Sequence, residues 1–209
     1  MSDIRFLCQV ILVLCIQLTY GQDFYFGADL SYVNEMEACG AAYTVEGVAQ
    51  EPYAIMRDHG CNLVRLRLWH TPAWYDQLNQ GHRYSDLDDV MLSISRAKAN
   101  GMKVLLDFHL SDTWADPGHQ VVPAAWAGVV NNQSILGDSL RNYIIHTLTT
   151  LGEAGLLPDI IQIGNETNRG ILLSQQVNDQ GWSVDWARNV FLFQTALTAI
   201  EEMANLYNV

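Results

Sequence analysis

Positive charge is scarce in this sequence. Eleven lysines and arginines stand against twenty-three aspartates and glutamates, a formal net charge of −12 over 209 residues. Such a surface repels phosphate backbones and anionic lipid, so nucleic acid and membranes are disfavoured as partners. Charge of either sign is sparse at 16%, while hydrophobic residues make up 49%; that balance argues against a disordered chain and supplies a sizeable core. Cysteine is rare, with four in all and none in a C-x-x-C pair or at zinc spacing, so no zinc module is expected. No G-x-S-x-G, P-loop or G-x-G-x-x-G occurs, so the corresponding hydrolase and nucleotide sites are not expected. Past residue 18 no apolar run is long enough to cross a bilayer.

What the sequence has begins at its start. Arg5 precedes a mostly apolar run, residues 6–18, and Thr19-Tyr20-Gly21 resembles a small-x-small cleavage site. Gln9 and Gln17 interrupt the run, which argues against a membrane anchor. Residues 1–21 read as a signal peptide cleaved after Gly21, leaving a secreted or periplasmic protein, residues 22–209. Cleavage removes Cys8 and Cys15. Cys39 and Cys61 remain, at opposite ends of the expected fold, where bridging is disfavoured because their Cα atoms must approach to within about 7 Å.

The remainder alternates between strand and helix patterns. Strands are expected at 23–30, 61–69, 102–110 and 159–164. A polar loop with Asn34, Glu35 and Glu37 follows the first. Helices are expected at 51–59, at 86–100 with Ser85 as cap, from about 139 to 154, and at 185–206. Gly60, Gly101 and Gly155 each end a helix shortly before a strand. Connections before strands are short, and those after strands are long and rich in Trp, Pro and Asp. That asymmetry belongs to parallel barrels, whose βα loops build the site. A doubly wound open sheet would need fewer strands, but its phosphate-binding turn is missing. Four βα units fit in the chain, whereas a closed (β/α)8 barrel takes eight and about 250 residues. The expected fold is therefore α/β, the N-terminal half of a (β/α)8 TIM barrel.

Alternation along the strands sorts their faces. Arg65, Arg67 and Trp69 share one face of the second strand, opposite Val64, Leu66 and Leu68. Asp107 and His109 share a face of the third, and Gln162, Gly164 and Glu166 a face of the fourth. In the first, Tyr25, Gly27 and Asp29 alternate with Phe24, Phe26 and Ala28. The inward face thus collects Asp29, Arg65, Arg67, Asp107, His109 and Glu166. Two inward cations require carboxylate partners, since an unpaired buried charge is very costly. Asp107 has two readings, a functional carboxylate or the partner of Arg65 or Arg67. His109 is either functional or a satisfied core histidine. Asp107, His109 and Asp112 have a spacing that could ligate a metal, but the paired histidines of H-E-x-x-H are missing. Trp114 and Trp126 either pack the loops or offer flat faces to sugar rings, with stacking favoured for Trp114. Asn132-Gln133-Ser134 fits a glycosylation sequon.

The stretch 158–167, P-D-I-I-Q-I-G-N-E-T, is an apolar strand delivering a carboxylate at its C-terminal end. In a parallel barrel such a residue reads as catalytic, while the plain alternative is a surface glutamate after a core strand. The charged neighbourhood on the other three strands favours catalysis.

The motifs F-G-A-D-L-S (26–31), N-L-V-R-L-R-L-W (62–69), K-V-L-L-D-F-H-L-S-D-T-W-A-D-P-G (103–118), P-A-A-W (123–126) and P-D-I-I-Q-I-G-N-E-T-N (158–168) together resemble glycoside hydrolase family 53, the arabinogalactan endo-β-1,4-galactanases. The resemblance implies a barrel with the acid/base glutamate after strand four and the nucleophile after strand seven. It makes Glu166 the general acid/base, has Asn165 bind the sugar 2-hydroxyl, and has Arg65 hold the nucleophile's carboxylate. Asp29, Asp107, His109, Asp112 and Trp114 are the other expected substrate-binding residues. The implied substrate is a polysaccharide, β-1,4-galactan of type I arabinogalactan, cleaved with retention and with no metal or cofactor. Thr167 and Arg169 depart from the family's usual residues, which bears on the subsites. Asp179, Asp185, Glu201 and Glu202 lie on an expected loop or the last helix, so the nucleophile is expected to be missing and the chain inactive alone. A same-clan mannanase or cellulase and a non-catalytic sugar-binding fragment are the alternatives. Mass spectrometry of the exported protein is expected to find Gln22 at its N-terminus; a retained Met1 would overturn the leader assignment.

Overall fold

The computed structural model describes residues 24–78, 81–177 and 182–209; the expected leader, residues 1–21, and Asp179 lie outside them. In chain order the elements are β1 (Gly27–Asp29), α1 (Val33–Ala38), β2 (Thr44–Val45), β3 (Val48–Ala49), α2 (Pro52–Asp58), β4 (Leu63–Leu68), α3 (Leu87–Ala99), β5 (Lys103–Phe108), α4 (Gln133–Glu153), β6 (Ile160–Ile163) and α5 (Trp186–Tyr207). Short 3-10 turns at Ala73–Gln77, Ala124–Val129 and Thr167–Arg169 lie in the long loops. Four strands form one parallel sheet in the order β1-β4-β5-β6, and β2 and β3 form a separate antiparallel hairpin. This is the arc of an α/β barrel, with helices on its outer side.

The alternation of β4 and β5 is realised as expected. Val64, Leu66, Leu68, Val104, Leu106 and Phe108 face outward and are buried. They join one core with Val90, Ile94 and Ala97 of α3 and Leu136, Leu140, Ile144 and Leu151 of α4. Each fully buried aliphatic side chain of this kind contributes about 1.5–3 kcal/mol by leaving water. The register places Asp29 beside Arg65, and Arg67 beside Asp107 and then Gln162, so the polar residues fall on the opposite, inner side.

The helices stop by one repeated device. Gly40, Gly60, Gly101 and Gly155 all have positive φ, as does Asn208. In each case the next residue's N–H bonds to the carbonyl five positions back: Ala41 to Met36, Cys61 to Met56, Met102 to Ala97, Leu156 to Leu151 and Val209 to Ala204. This geometry satisfies orphan carbonyls at the helix end and turns the chain sharply toward the next element.

Four expectations need correction. The first strand has three residues rather than eight, because residues 24–26 pair with the Asn62 side chain instead of a strand: the Phe26 N–H donates to Asn62 Oδ1 and Asn62 Nδ2 donates to the Phe24 carbonyl. The polar loop after it contains α1 and the β2–β3 hairpin, whose turn residues Glu46 and Gly47 both have positive φ. The cap of α3 is Asp86, which accepts from the Asp89 N–H; Ser85 precedes it in a left-handed conformation. Helix α4 starts at Gln133, six residues earlier than expected, capped by Asn132. The helix runs through Gly137, where glycine is needed for packing: a Cβ there would meet the Phe191 ring at 2.7 Å. Cys39 is exposed and Cys61 buried, and both are free.

Gly152, near the C-terminal end of α4, plays the same part against Tyr207, whose ring occupies the space a Cβ would need. Gly152→Ala is expected to lower stability by about 1–3 kcal/mol through overpacking, despite alanine's better helix propensity. Urea unfolding measures it, and a neutral or stabilising result would contradict this packing.

Candidate active site

Arg65 organises the inner face of the sheet. Its Nη1 donates to Asp29 Oδ2 at 2.5 Å, and its Nη2 to Asp107 Oδ2 at 2.6 Å and to Asn165 Oδ1 at 3.0 Å. Its Nε donates to Gln162 Oε1 at 3.1 Å. One planar guanidinium thereby ties β1, β4, β5, β6 and the turn after β6, using the fork of donors that only arginine presents.

Asp29 also accepts from the Ser31 hydroxyl at 2.6 Å and the Ser31 N–H at 3.0 Å. Burial alone would raise its pKa, but the Ser31 hydrogen bonds and then Arg65 outweigh it, holding the carboxyl below its ordinary value. Asp107 is 0% exposed, and its Oδ2 also meets His109 Nδ1 at 2.7 Å. The other ring nitrogen, Nε2, accepts from the Ala115 N–H at 2.9 Å. An acceptor at Nε2 places the proton on Nδ1, so His109 is the neutral tautomer donating to Asp107. Both of its nitrogens are used and the ring is buried.

Asn165 and Glu166 follow β6 directly. Asn165 Nδ2 donates to the Ala115 carbonyl at 2.8 Å while its oxygen takes Arg65. Glu166 is exposed, and its side chain makes no hydrogen bond among the described residues. Its backbone is left-handed, φ 49°, two residues after Gly164 at φ 75°. For a non-glycine residue that conformation is costly, by about 1–3 kcal/mol, and such positions gather at functional sites. The Gly164 turn cannot carry a side chain, since a Cβ would lie 2.6 Å from Thr167 Cγ2.

Trp114 is half-exposed, its ring 5.3 Å from His109 between centroids. Asp112 is engaged in the loops: Oδ1 accepts from the Thr71 N–H and Oδ2 from the Ala124 N–H. It also lies 3.8 Å from His70, whose burial holds the ring's pKa below its usual value against the pull of Asp112. Trp126 is buried against His70 and Tyr143. The hydrogen bonds therefore unite Asp29, Arg65, Asp107, His109 and Asn165, with Glu166 next to Asn165 in the chain, Trp114 beside His109 and Asp112 joining the loops nearby. Among the described residues no group of three or more His, Cys, Asp or Glu is placed to hold a metal ion.

One expectation on this face is overturned. Arg67 has no carboxylate partner among the described residues; its Nη2 donates to Ser85 Oγ at 3.1 Å and aromatic rings surround the rest. Sequence reasoning also missed Gln120, which is buried and donates through Nε2 to the carbonyls of Asp116 and Asn165. Its partners are backbone atoms, which leave no trace in residue identity. Ser31 did leave a signal, since an Asp-x-Ser step can bond locally in this way.

Removing Arg65 would strand Asp107 inside the sheet. Arg65→Met is expected to destabilise the chain by about 3–5 kcal/mol, and adding Asp107→Asn to recover part of that loss. Chemical denaturation of both variants checks the pair; a loss under about 0.5 kcal/mol would contradict it.

The sequence model of Glycosyl hydrolase family 53 matches residues 25–209. An arabinogalactan endo-beta-1,4-galactanase of Cellvibrio japonicus is 45% identical over 179 residues, which are 86% of this chain and 45% of that protein. One of Thermothelomyces thermophilus is 37% identical, over 85% of this chain and 49% of that protein. The chain thus spans about half the length of these curated relatives. Among solved structures, the Ignisphaera aggregans GH53 catalytic domain aligns with a TM-score of 0.75 at 34% identity, covering 88% of this chain and 50% of that one. The family model runs almost the whole described length, and the chain belongs to glycosyl hydrolase family 53.

Proposed function

We propose that this chain carries the acid/base side of a retaining, endo-acting glycosidase that cleaves β-1,4-galactosidic bonds in arabinogalactan. The observation that carries the reading is Glu166, an exposed carboxylate held by a strained turn at the end of β6, beside an amide and a guanidinium that are already fixed. The names of the relatives supply the bond and the polymer. In this reading Glu166 protonates the leaving glycosidic oxygen. After a glycosyl-enzyme forms, it takes a proton from the attacking water. Asn165 and Arg65 bind and orient groups around the reacting sugar, and no metal or cofactor takes part.

Retention requires a second carboxyl about 5–5.5 Å from the first, on the other side of the bond. Asp107 is 0% exposed and committed to Arg65 and His109. Asp29 is committed to Ser31 and Arg65. Neither inner aspartate is free to attack an anomeric carbon. The nucleophile therefore has to come from another segment, and the 209-residue chain alone does not turn over galactan. Export through residues 1–21 to a secreted or periplasmic location belongs to the same reading.

Fusing residues 22–209 to the part of the Cellvibrio japonicus relative outside the matched region tests it. The chimera is expected to release reducing sugar from potato galactan in preference to mannan or carboxymethylcellulose. Glu166→Gln in that chimera is expected to lower kcat by roughly 10²–10⁴-fold, and the unfused chain to release none. Unchanged turnover in the Glu166→Gln chimera, or robust turnover by the chain alone, would sink the proposal.

A further inference from the structure

Arg67 is the cation on the inner face that the acid/base reading leaves without a task. It is 1% exposed, its Nε has no acceptor among the described residues, and its Nη2 donates to a serine hydroxyl. What surrounds it is aromatic. Its Cζ lies 4.2 Å from the Trp69 ring centroid, 4.4 Å from that of Tyr32 and 5.2 Å from that of Trp114. Trp69 is a fixed floor: it is buried and packed edge-on to Trp74 and His109. The other two rings are open to solvent, Tyr32 at 47% and Trp114 at 44%.

The topology explains why one guanidinium reaches all three. Tyr32 lies just past β1, Arg67 on β4 and Trp114 past β5, and β4 is the strand between the other two. Trp114 is also tied to the acid. The next residue, Ala115, gives its N–H to His109 and its carbonyl to Asn165 Nδ2, and Asn165 precedes Glu166. A flat, delocalised guanidinium can lie along a ring face and present a second face to another ring, a planar stacking that a compact ammonium does not reproduce.

We propose that Arg67 is a positioning residue that locks Tyr32 and Trp114 into a two-ring platform at the mouth of the site. The platform accepts the apolar face of pyranose rings in a neutral β-linked oligosaccharide. Arg67 itself touches no sugar. The sugar part rests on the galactanase reading, while the locking of the rings does not.

The test labels the 209-residue chain with 5-fluorotryptophan and follows fluorine NMR, with Trp114→Phe assigning that resonance. Arg67→Met and Arg67→Lys are both expected to shift and broaden the Trp114 signal, leaving the signal of exposed Trp186 on α5 and the circular dichroism unchanged. An unmoved Trp114 signal in a folded variant overturns the proposal. Should Arg67→Met fail to fold, Arg67→Lys decides on the same criterion. Titration with β-1,4-galactotetraose then reads the consequence. Arg67→Met is expected to weaken binding about tenfold in the parent chain, and to add no further loss once Tyr32→Ala and Trp114→Ala are present. A full tenfold loss in that background would overturn the positioning role. Absence of galactotetraose binding by the parent chain strikes the galactanase reading instead, and the fluorine signals still decide whether Arg67 holds the rings.

Discussion

One guanidinium holds the inner face of this sheet together. Arg65 gives hydrogen bonds to Asp29, Asp107, Asn165 and Gln162, which belong to three other strands or the turn that follows them. Without it, two carboxylates would face each other across a parallel sheet with nothing between them. With it, the register of four strands and the position of Asn165 are fixed by the same group. β1 depends on it most: that strand is three residues long, lies at an edge and pairs with β4, while Asn62 holds the residues just before it.

The carboxylates differ in how far they are committed. Asp107 is wholly enclosed, and Asp29 is drawn down by Ser31 and Arg65. Glu166, in the turn after β6, is exposed, has no side-chain hydrogen bond among the described residues and has a left-handed backbone. Among the described residues the partnered carboxylates build the frame, and Glu166 takes no part in it. That contrast is the physical support for the proposal that Glu166 is the acid/base.

Much of this was legible in the residues. Strict alternation in L-V-R-L-R-L and K-V-L-L-D-F assigned the two faces of β4 and β5, because a half-polar strand can bury only one side. Gly60, Gly101 and Gly155 marked helix ends, because only glycine enters the left-handed turn cheaply. The illegible parts depended on distant partners. The start of α4 was obscured by Gly137, which looks like a breaker until the Phe191 ring lies against it. The β2–β3 hairpin has strands of two residues, too short for any periodicity. Arg67 seemed to need a carboxylate because charge is normally neutralised by charge, and three rings from separate loops are invisible to a rule that counts ions. Gln120 serves backbone carbonyls, so nothing about its neighbours in sequence announces it.

The repeated helix stop has a further implication. Helices α2, α3 and α4 each hand over to the next strand of the sheet through a left-handed glycine and the same backbone hydrogen bond, so that end of the fold is built from interchangeable joints. The opposite rim has no repeated part: each loop there is unique in length and content. Natural variation or laboratory recombination can therefore exchange whole rim loops while the joints below keep the strands in step. Recognition and architecture occupy opposite ends of the same strands, and each can drift without dragging the other.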